Sequence, residues 1–135
     1  MTISDHFVYP AAEVSKIDNL AMQLSAIPGF VLMRKAADFA YDKAIKFYPD
    51  TASIVVFCGL GNNAGDGYLF AVRALNEGKK IHVISLSSPE KLKGNALQAY
   101  QEYTNMGGQL IPWDRNPNFS ADLIVDAIFG IGLNR

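Results

Sequence analysis

Between Ala11 and Ala26 apolar residues recur every three or four positions, at Val14, Ile17, Leu20, Ala21 and Leu24, the spacing of one helical face. Ile27, Pro28 and Gly29 end that helix. A second helical stretch runs from Phe30 to about Phe47 with Leu32, Ala36, Phe39, Ala40 and Ile45 on its periodic positions, and stops at Tyr48–Pro49–Asp50. The period then changes. Ile54 to Cys58 is an unbroken apolar, largely β-branched run, the pattern of a parallel strand covered on both faces. After the turn segment GLGNNAGDGY (Gly59 to Tyr68), Leu69, Ala71, Val72 and Leu75 make an apolar stripe opposite Arg73, Asn76 and Glu77, with Gly78 placed to end the helix in a left-handed conformation. Lys80 to Leu86 predicts a second strand. Ser88 and Pro89 suit a helix cap and first turn, and that helix runs to about Met106. Short strands are expected at Gln109 to Ile111 and Leu123 to Phe129.

Two helices followed by alternating strands and helices predict an α/β fold, a Rossmann-like sandwich with a mostly parallel sheet and helices on both faces. At 135 residues the chain fits one domain, residues 1–135, since typical domains take roughly 100–200 residues. Ligands of such sheets bind beyond the carboxyl ends of the strands, where the glycine-rich segment lies.

Composition narrows the partner. A formal net charge of −1 gives no electrostatic reason to bind nucleic acid or an acidic membrane, so a small molecule fits better. The single Cys58 lies inside an apolar run and reads as a core thiol in a reducing compartment. The N-terminus lacks a signal-peptide pattern and no apolar run approaches the roughly 20 residues that span a bilayer, so a cytoplasmic location is expected. His6, in the N-terminal stretch, and His82, within a strand, read as structural or solvent-facing, and Trp113, close to Pro112 and Arg115, as covering a loop.

The glycine-rich segment admits three readings. In the plainest, it is a tight strand-to-helix turn in which Asn63 or Asp66 caps the helix. A P-loop is set aside because no Lys-Ser or Lys-Thr follows the glycines. A nicotinamide-dinucleotide fingerprint is suggested by Gly59, Gly61 and Gly65, but the second strand ends in Ser-Leu-Ser-Ser-Pro-Glu rather than in the acidic residue that holds ribose hydroxyls. There is no Tyr-x-x-x-Lys pair, and Asp66 at the helix start is expected to repel a phosphate. Paired asparagines with an aspartate suit a cation or a ligand rich in amides and hydroxyls. Asp126, in the stretch DAIFGIGLNR (Asp126 to Arg135), is expected to sit within an apolar strand, where a buried carboxylate needs a partner. Backbone donors or a cation shared with Asn63 would both serve, the latter because hard cations take oxygen ligands.

Together, GNNAGDG at Gly61 to Gly67 and DAIFGIGL at Asp126 to Leu133, preceded by two helices, resemble the N-terminal YjeF domain, the NAD(P)H-hydrate epimerases. The resemblance implies a three-layer α/β/α sandwich, generally dimeric, that interconverts the R and S hydrates of NADH and NADPH (NADHX and NADPHX). An ADP- or ATP-dependent dehydratase, often fused to the same chain, then restores the cofactor from the S form. It implies hydrate-binding positions at Asn62, Asn63, Ala64, Gly65 and Asp66 and again at Gly130, Ile131, Gly132, Leu133, Asn134 and Arg135, with a potassium ion held by Asn63 and Asp126. On this view the glycines let backbone approach the damaged nucleotide. Ala64 stands where the family usually has glycine, and Ile131 where threonine is common. The family's D-x-P-S-G stretch, which supplies the acid/base aspartate, has no counterpart in these residues, so the chain reads as the front part of an epimerase domain with its catalytic residue unidentified. The rival is a non-enzymatic nucleotide-binding or scaffold module of the same fold; a dehydrogenase is a third reading.

Overall fold

Strand β1 (Ser53–Cys58) is the centre of the molecule because its side chains meet apolar neighbours on both sides: Ile54, Val55, Val56 and Cys58 are all buried. The computed structural model describes residues 8–113 and 119–130. Around β1 it places β2 (Lys80–Ser85), β3 (Leu110–Pro112) and β4 (Leu123–Ala127) in the order β3-β2-β1-β4, every pair parallel. Register sets Ile54 beside Ile81 and Leu123, and Val56 beside Val83 and Val125, so one face presents a continuous apolar row.

Helix α3 (Asn62–Asn76) lies on that face, flanked by α2 (Gly29–Phe47) and α4 (Gly94–Asn105). Met33, Ala37 and Tyr41 from α2 and Ala96, Ala99 and Tyr103 from α4 join Tyr68, Leu69 and Val72 of α3 in one core with the strands. The opposite face, with Phe57, is met by the rings of Trp113 and Phe119, both edge-on to Phe57. Sheet and helix layer are thus two of the three layers expected. Helix α1 (Ala11–Ser25) has no buried residue; Val14, Ile17, Leu20 and Leu24 of its apolar stripe are exposed.

Besides one-residue shifts in β1 and β2, boundaries differ from the sequence reading at four points. First, α3 begins at Asn62, so most of the presumed turn is helix and the true turn is only Gly59 to Gly61. Next, the helix expected from Ser88 is broken: a single 3-10 turn (Pro89–Lys91) precedes Leu92, whose buried side chain draws extended backbone into the core, and Gly94 at φ 56° starts α4 afresh. Then β3 lies one residue later than expected. Finally, β4 ends at Ala127 because the Ile128 N–H turns back onto Asp126 Oδ1 at 3.0 Å, a local side-chain turn that ends pairing. Gly78 is left-handed at φ 72°, as expected.

Two further interactions set the sheet's geometry. Asp122 Oδ2 accepts from the Ala52 N–H (3.0 Å), the Ser53 N–H (2.8 Å) and the Ser53 hydroxyl (2.9 Å), pinning the start of β4 to the start of β1. These bonds favour the charged carboxylate and hold its pKa below the ordinary value. Arg73 on α3 pairs with Asp42 of α2 at 3.2 Å and with Glu77 at 3.1 Å, fixing the outer side of the helix pair.

Candidate active site

The turn from β1 into α3 is tight for a steric reason. A Cβ on Gly59 would lie 2.2 Å from the Ile128 carbonyl oxygen, and the Gly59 N–H donates to the Ala127 carbonyl at 3.1 Å, so the ends of β1 and β4 touch through backbone. One turn further on, a Cβ on Gly67 would meet Ala127 Cβ at 2.5 Å and Cys58 Sγ at 2.9 Å, which is why α3 can settle directly on the sheet. Gly65 is likewise buried, against Met33 and the Ala96 backbone. The lack of a side chain at these three glycines serves internal packing, a role that the sequence reading did not give them. Gly61 differs: it is exposed, at φ −86°, and a Cβ there would meet nothing within 4 Å.

Neither Asn63 nor Asp66 caps α3, whose N-cap is Gly61 without a side-chain bond. Asn63 instead donates its amide Nδ2 to the Phe129 carbonyl at 2.9 Å, and Gly130 backs directly onto the Asn63 Cβ. Because a carbonyl can only accept, the amide must turn its nitrogen to Phe129, and Oδ1, without a partner among the described residues, can face a cation or a donor. Asp66, five residues into the helix, does not stand at its mouth, so the expected repulsion of a phosphate at the first amides does not arise. It lies half-buried in a cleft of about 290 Å³ with Asn63, Asp126, Ala36, Ala40 and Phe70 among its walls. Burial in this largely apolar cleft pushes the Asp66 carboxyl up to about 6.

Asp126 reaches the same cleft but is exposed, not buried as expected, because β4 borders the sheet in the described residues. One of its oxygens accepts from Ile128 N–H; the other has no partner among the described residues. Of the remaining candidate positions, Asn62 and Gly130 are exposed, whereas the Ala64 methyl is fully buried and Ala64, like Gly65, offers a ligand backbone only. Ile131, Gly132, Leu133, Asn134 and Arg135 lie outside the described residues, as do His6 and Arg115. The Cys58 thiol is buried and its pKa is pushed up to about 12 by desolvation, which makes it an inert core residue. His82 is half-buried with Nδ1 unpartnered, and Trp113 is about half exposed on Phe57. Sequence reasoning missed the alanine wall of α2, whose signal is the small-residue spacing Ala36, Ala37, Ala40, and the Phe129 carbonyl, which carries no side-chain signal at all.

A parallel sheet with a largely apolar cleft bearing two carboxylates and an amide, and with a helix N-terminus at its carboxyl edge, defines a class, the open α/β domains. The chain belongs to the YjeF-related protein N-terminus family, whose sequence profile matches residues 29–135. It is 34% identical, over 93% of its length, to the bifunctional NAD(P)H-hydrate repair enzyme Nnr of Moorella thermoacetica, and covers 26% of that protein. To the NAD(P)H-hydrate epimerase of Limosilactobacillus fermentum it is 33% identical over 93% of its length, covering 60% of the relative. A crystal structure of yeast ynu0 superposes with a TM-score of 0.79 over 96% of this chain and 59% of that one at 20% identity, a likeness of fold. The chain thus spans about a quarter of the bifunctional relatives and some 60% of the single-function relative. Among the described residues no helix is long and apolar enough to cross a membrane.

Proposed function

We propose that this chain carries the substrate-binding part of an NAD(P)H-hydrate epimerase, which interconverts the R and S hydrates of NADH and NADPH. The observation that supports it most is the Asn63–Phe129 bond, which closes the two family motifs onto one cleft holding Asp66 and Asp126. Epimerisation at the hydrated ring carbon requires the hydroxyl to leave or the ring to open, with a positioned group moving the proton. In this reading Asn62, Asn63 and the exposed Gly61 backbone seat the nucleotide, and Asp66 and Asp126 face the polar ring substituents.

A potassium ion fits the donor set: Asn63 retains Oδ1 and Asp126 retains one carboxylate oxygen, both hard oxygen donors on the same cleft. When bound, it would supply positive charge that steadies a leaving hydroxyl and the nucleotide. The chain's own residues hold the site's shape, Asn63 by clamping the β4 exit and Asp126 by turning Ile128. In the cell, cytoplasmic in this reading, an ADP- or ATP-dependent dehydratase would consume the S hydrate. The exposed apolar stripe of α1 is the surface proposed for a second copy.

The test is epimerisation of purified R-NADPH hydrate coupled to an S-specific dehydratase, with and without potassium. Potassium-stimulated turnover is expected of the chain in its complete protein. Failure to bind either hydrate or NADP would refute the reading; tight binding without turnover would favour the nucleotide-binding module.

A further inference from the structure

A second pocket opens on the other side of the β1–α3 turn, and nothing in the epimerase reading uses it. It has a volume of about 400 Å³ and lies between the ends of β2 and β3, lined by Ser85, Leu86, Ser87, Ser88, Leu110 and Trp113 among others. Among the described residues no charged side chain is in the lining. Its floor is fixed: the Trp113 N–H donates to the Ser85 carbonyl at 2.9 Å, the Leu86 N–H to the Cys58 carbonyl at 3.0 Å, and the Ser85 hydroxyl to the Ser87 carbonyl. The Ser87 and Ser88 hydroxyls have no partner among the described residues. Trp113 packs edge-on to Phe57 at 6.1 Å between centroids, yet 48% of its surface remains open, which leaves a ring held in place but not covered.

We propose that this pocket takes the adenosine half of the dinucleotide, with the adenine ring stacked on Trp113 and the ribose hydroxyls on Ser87 and Ser88; the proposal rests on the epimerase reading for the identity of the substrate. Strand order supplies the argument. The Asn63–Asp126 cleft borders β4 and β1, and the second pocket lies between β2 and β3, so the two are separated by two strand spacings, about 10 Å. Between them runs the Gly59–Gly61 turn with the uncapped N-terminus of α3, where peptide N–H groups and the helix dipole favour a pyrophosphate. One molecule with an amide-bearing ring at one end, a diphosphate in the middle and an adenosine at the other matches that succession of surfaces. A serine-lined end of β2, without a carboxylate among the described residues of the lining, also leaves room for a ribose that bears a 2′-phosphate, whereas an acidic residue there repels one.

Trp113 is the only tryptophan in the chain, so its emission reports this pocket alone. The experiment titrates the protein with AMP, ADP-ribose and nicotinamide mononucleotide, following fluorescence and, separately, heat of binding. AMP and ADP-ribose are expected to quench the emission saturably and nicotinamide mononucleotide to leave it nearly unchanged. Trp113→Ala should weaken ADP-ribose at least about tenfold, within the range of base–aromatic stacking by alanine substitution, while Trp113→Phe loses less than about threefold because the ring is retained. Ser87→Glu should weaken AMP and ADP-ribose but not nicotinamide mononucleotide, which gives a readout even if the alanine variant misfolds. ADP-ribose binding with unchanged emission, and unchanged affinity in Trp113→Phe and Ser87→Glu, would overturn this placement and leave the epimerase reading standing. Absence of binding by all three ligands would overturn both.

Discussion

Replacing Asp66 by asparagine separates burial of charge from burial of shape. The carboxyl is raised from 3.8 to about 6 by desolvation alone. The native state therefore holds the proton more tightly than the unfolded chain, and between those values stability falls as pH rises. At about 1.4 kcal/mol per pH unit the ionised group costs the fold up to about 3 kcal/mol above pH 6, and water at the open mouth of the cleft reduces this to about 1–2 kcal/mol. Asparagine keeps the shape and abolishes the charge. Asp66→Asn should thus raise Tm by about 3–6 °C at about pH 7.5 and by nothing measurable at about pH 3.5, where both side chains are neutral. Melts in choline buffer avoid potassium, which would draw the Asp66 pKa back down and shrink the difference. An equal change of Tm at both pH values, or destabilisation confined to high pH, would refute the desolvation argument.

Gly61→Ala is expected to leave Tm within about 2 °C, since a Cβ there meets open space, yet to weaken ADP-ribose binding if the exposed turn seats the pyrophosphate. Calorimetry decides, and unchanged affinity removes the turn from the binding surface. Asp126→Ala, at an exposed position, should change stability by no more than about 0.5 kcal/mol while abolishing the potassium stimulation of the complete enzyme; an intact potassium response sinks the assignment. Asp122→Ala should lower Tm near neutrality. The depressed pKa of Asp122 means that its contribution is full above the ordinary carboxylate range and vanishes as pH falls through the folded value, so the wild type and variant should converge in acid. For α1, Ile17→Asp should convert a dimer to a monomer in sedimentation velocity; a wild-type chain already monomeric at high concentration discards that surface.

What could be read from sequence followed from periodicity and from residue type. The 3.6 and continuous patterns placed four α-helices and four strands among the described residues, but not every buried face: the apolar stripe of α1 is largely exposed, and α2 buries Met33, Ala37 and Tyr41 while Ala36, Phe39 and Ala40 of the predicted stripe are exposed. Errors fell where tertiary contacts override local preference. Asn63 looks like a helix cap but is drawn to a carbonyl 66 positions away, and Asp126 looks buried in an apolar run but borders the sheet. Leu92 interrupts a good helix signal because its side chain has a place in the core. The Ser85–Trp113 pocket was invisible for a related reason: it joins two segments whose only common property is the end of the sheet they reach.

The two family motifs form one mechanical unit. Gly59 touches the Ile128 carbonyl and bonds Ala127, Gly67 rests on Ala127, and Asn63 holds Phe129, so three residues of the glycine-rich segment each meet one at the end of β4. A side chain at Gly59 or Gly67 would push α3 off the end of β4 and carry Asn63 away from Phe129, widening the cleft between Asp66 and Asp126. Glycine acts here through packing: close backbone contact fixes where the amide and carboxylate oxygens stand. A motif rich in glycine therefore does not by itself mark backbone that approaches a nucleotide. Among the described glycines of the β1–α3 turn, Gly61 is the one with free space around it.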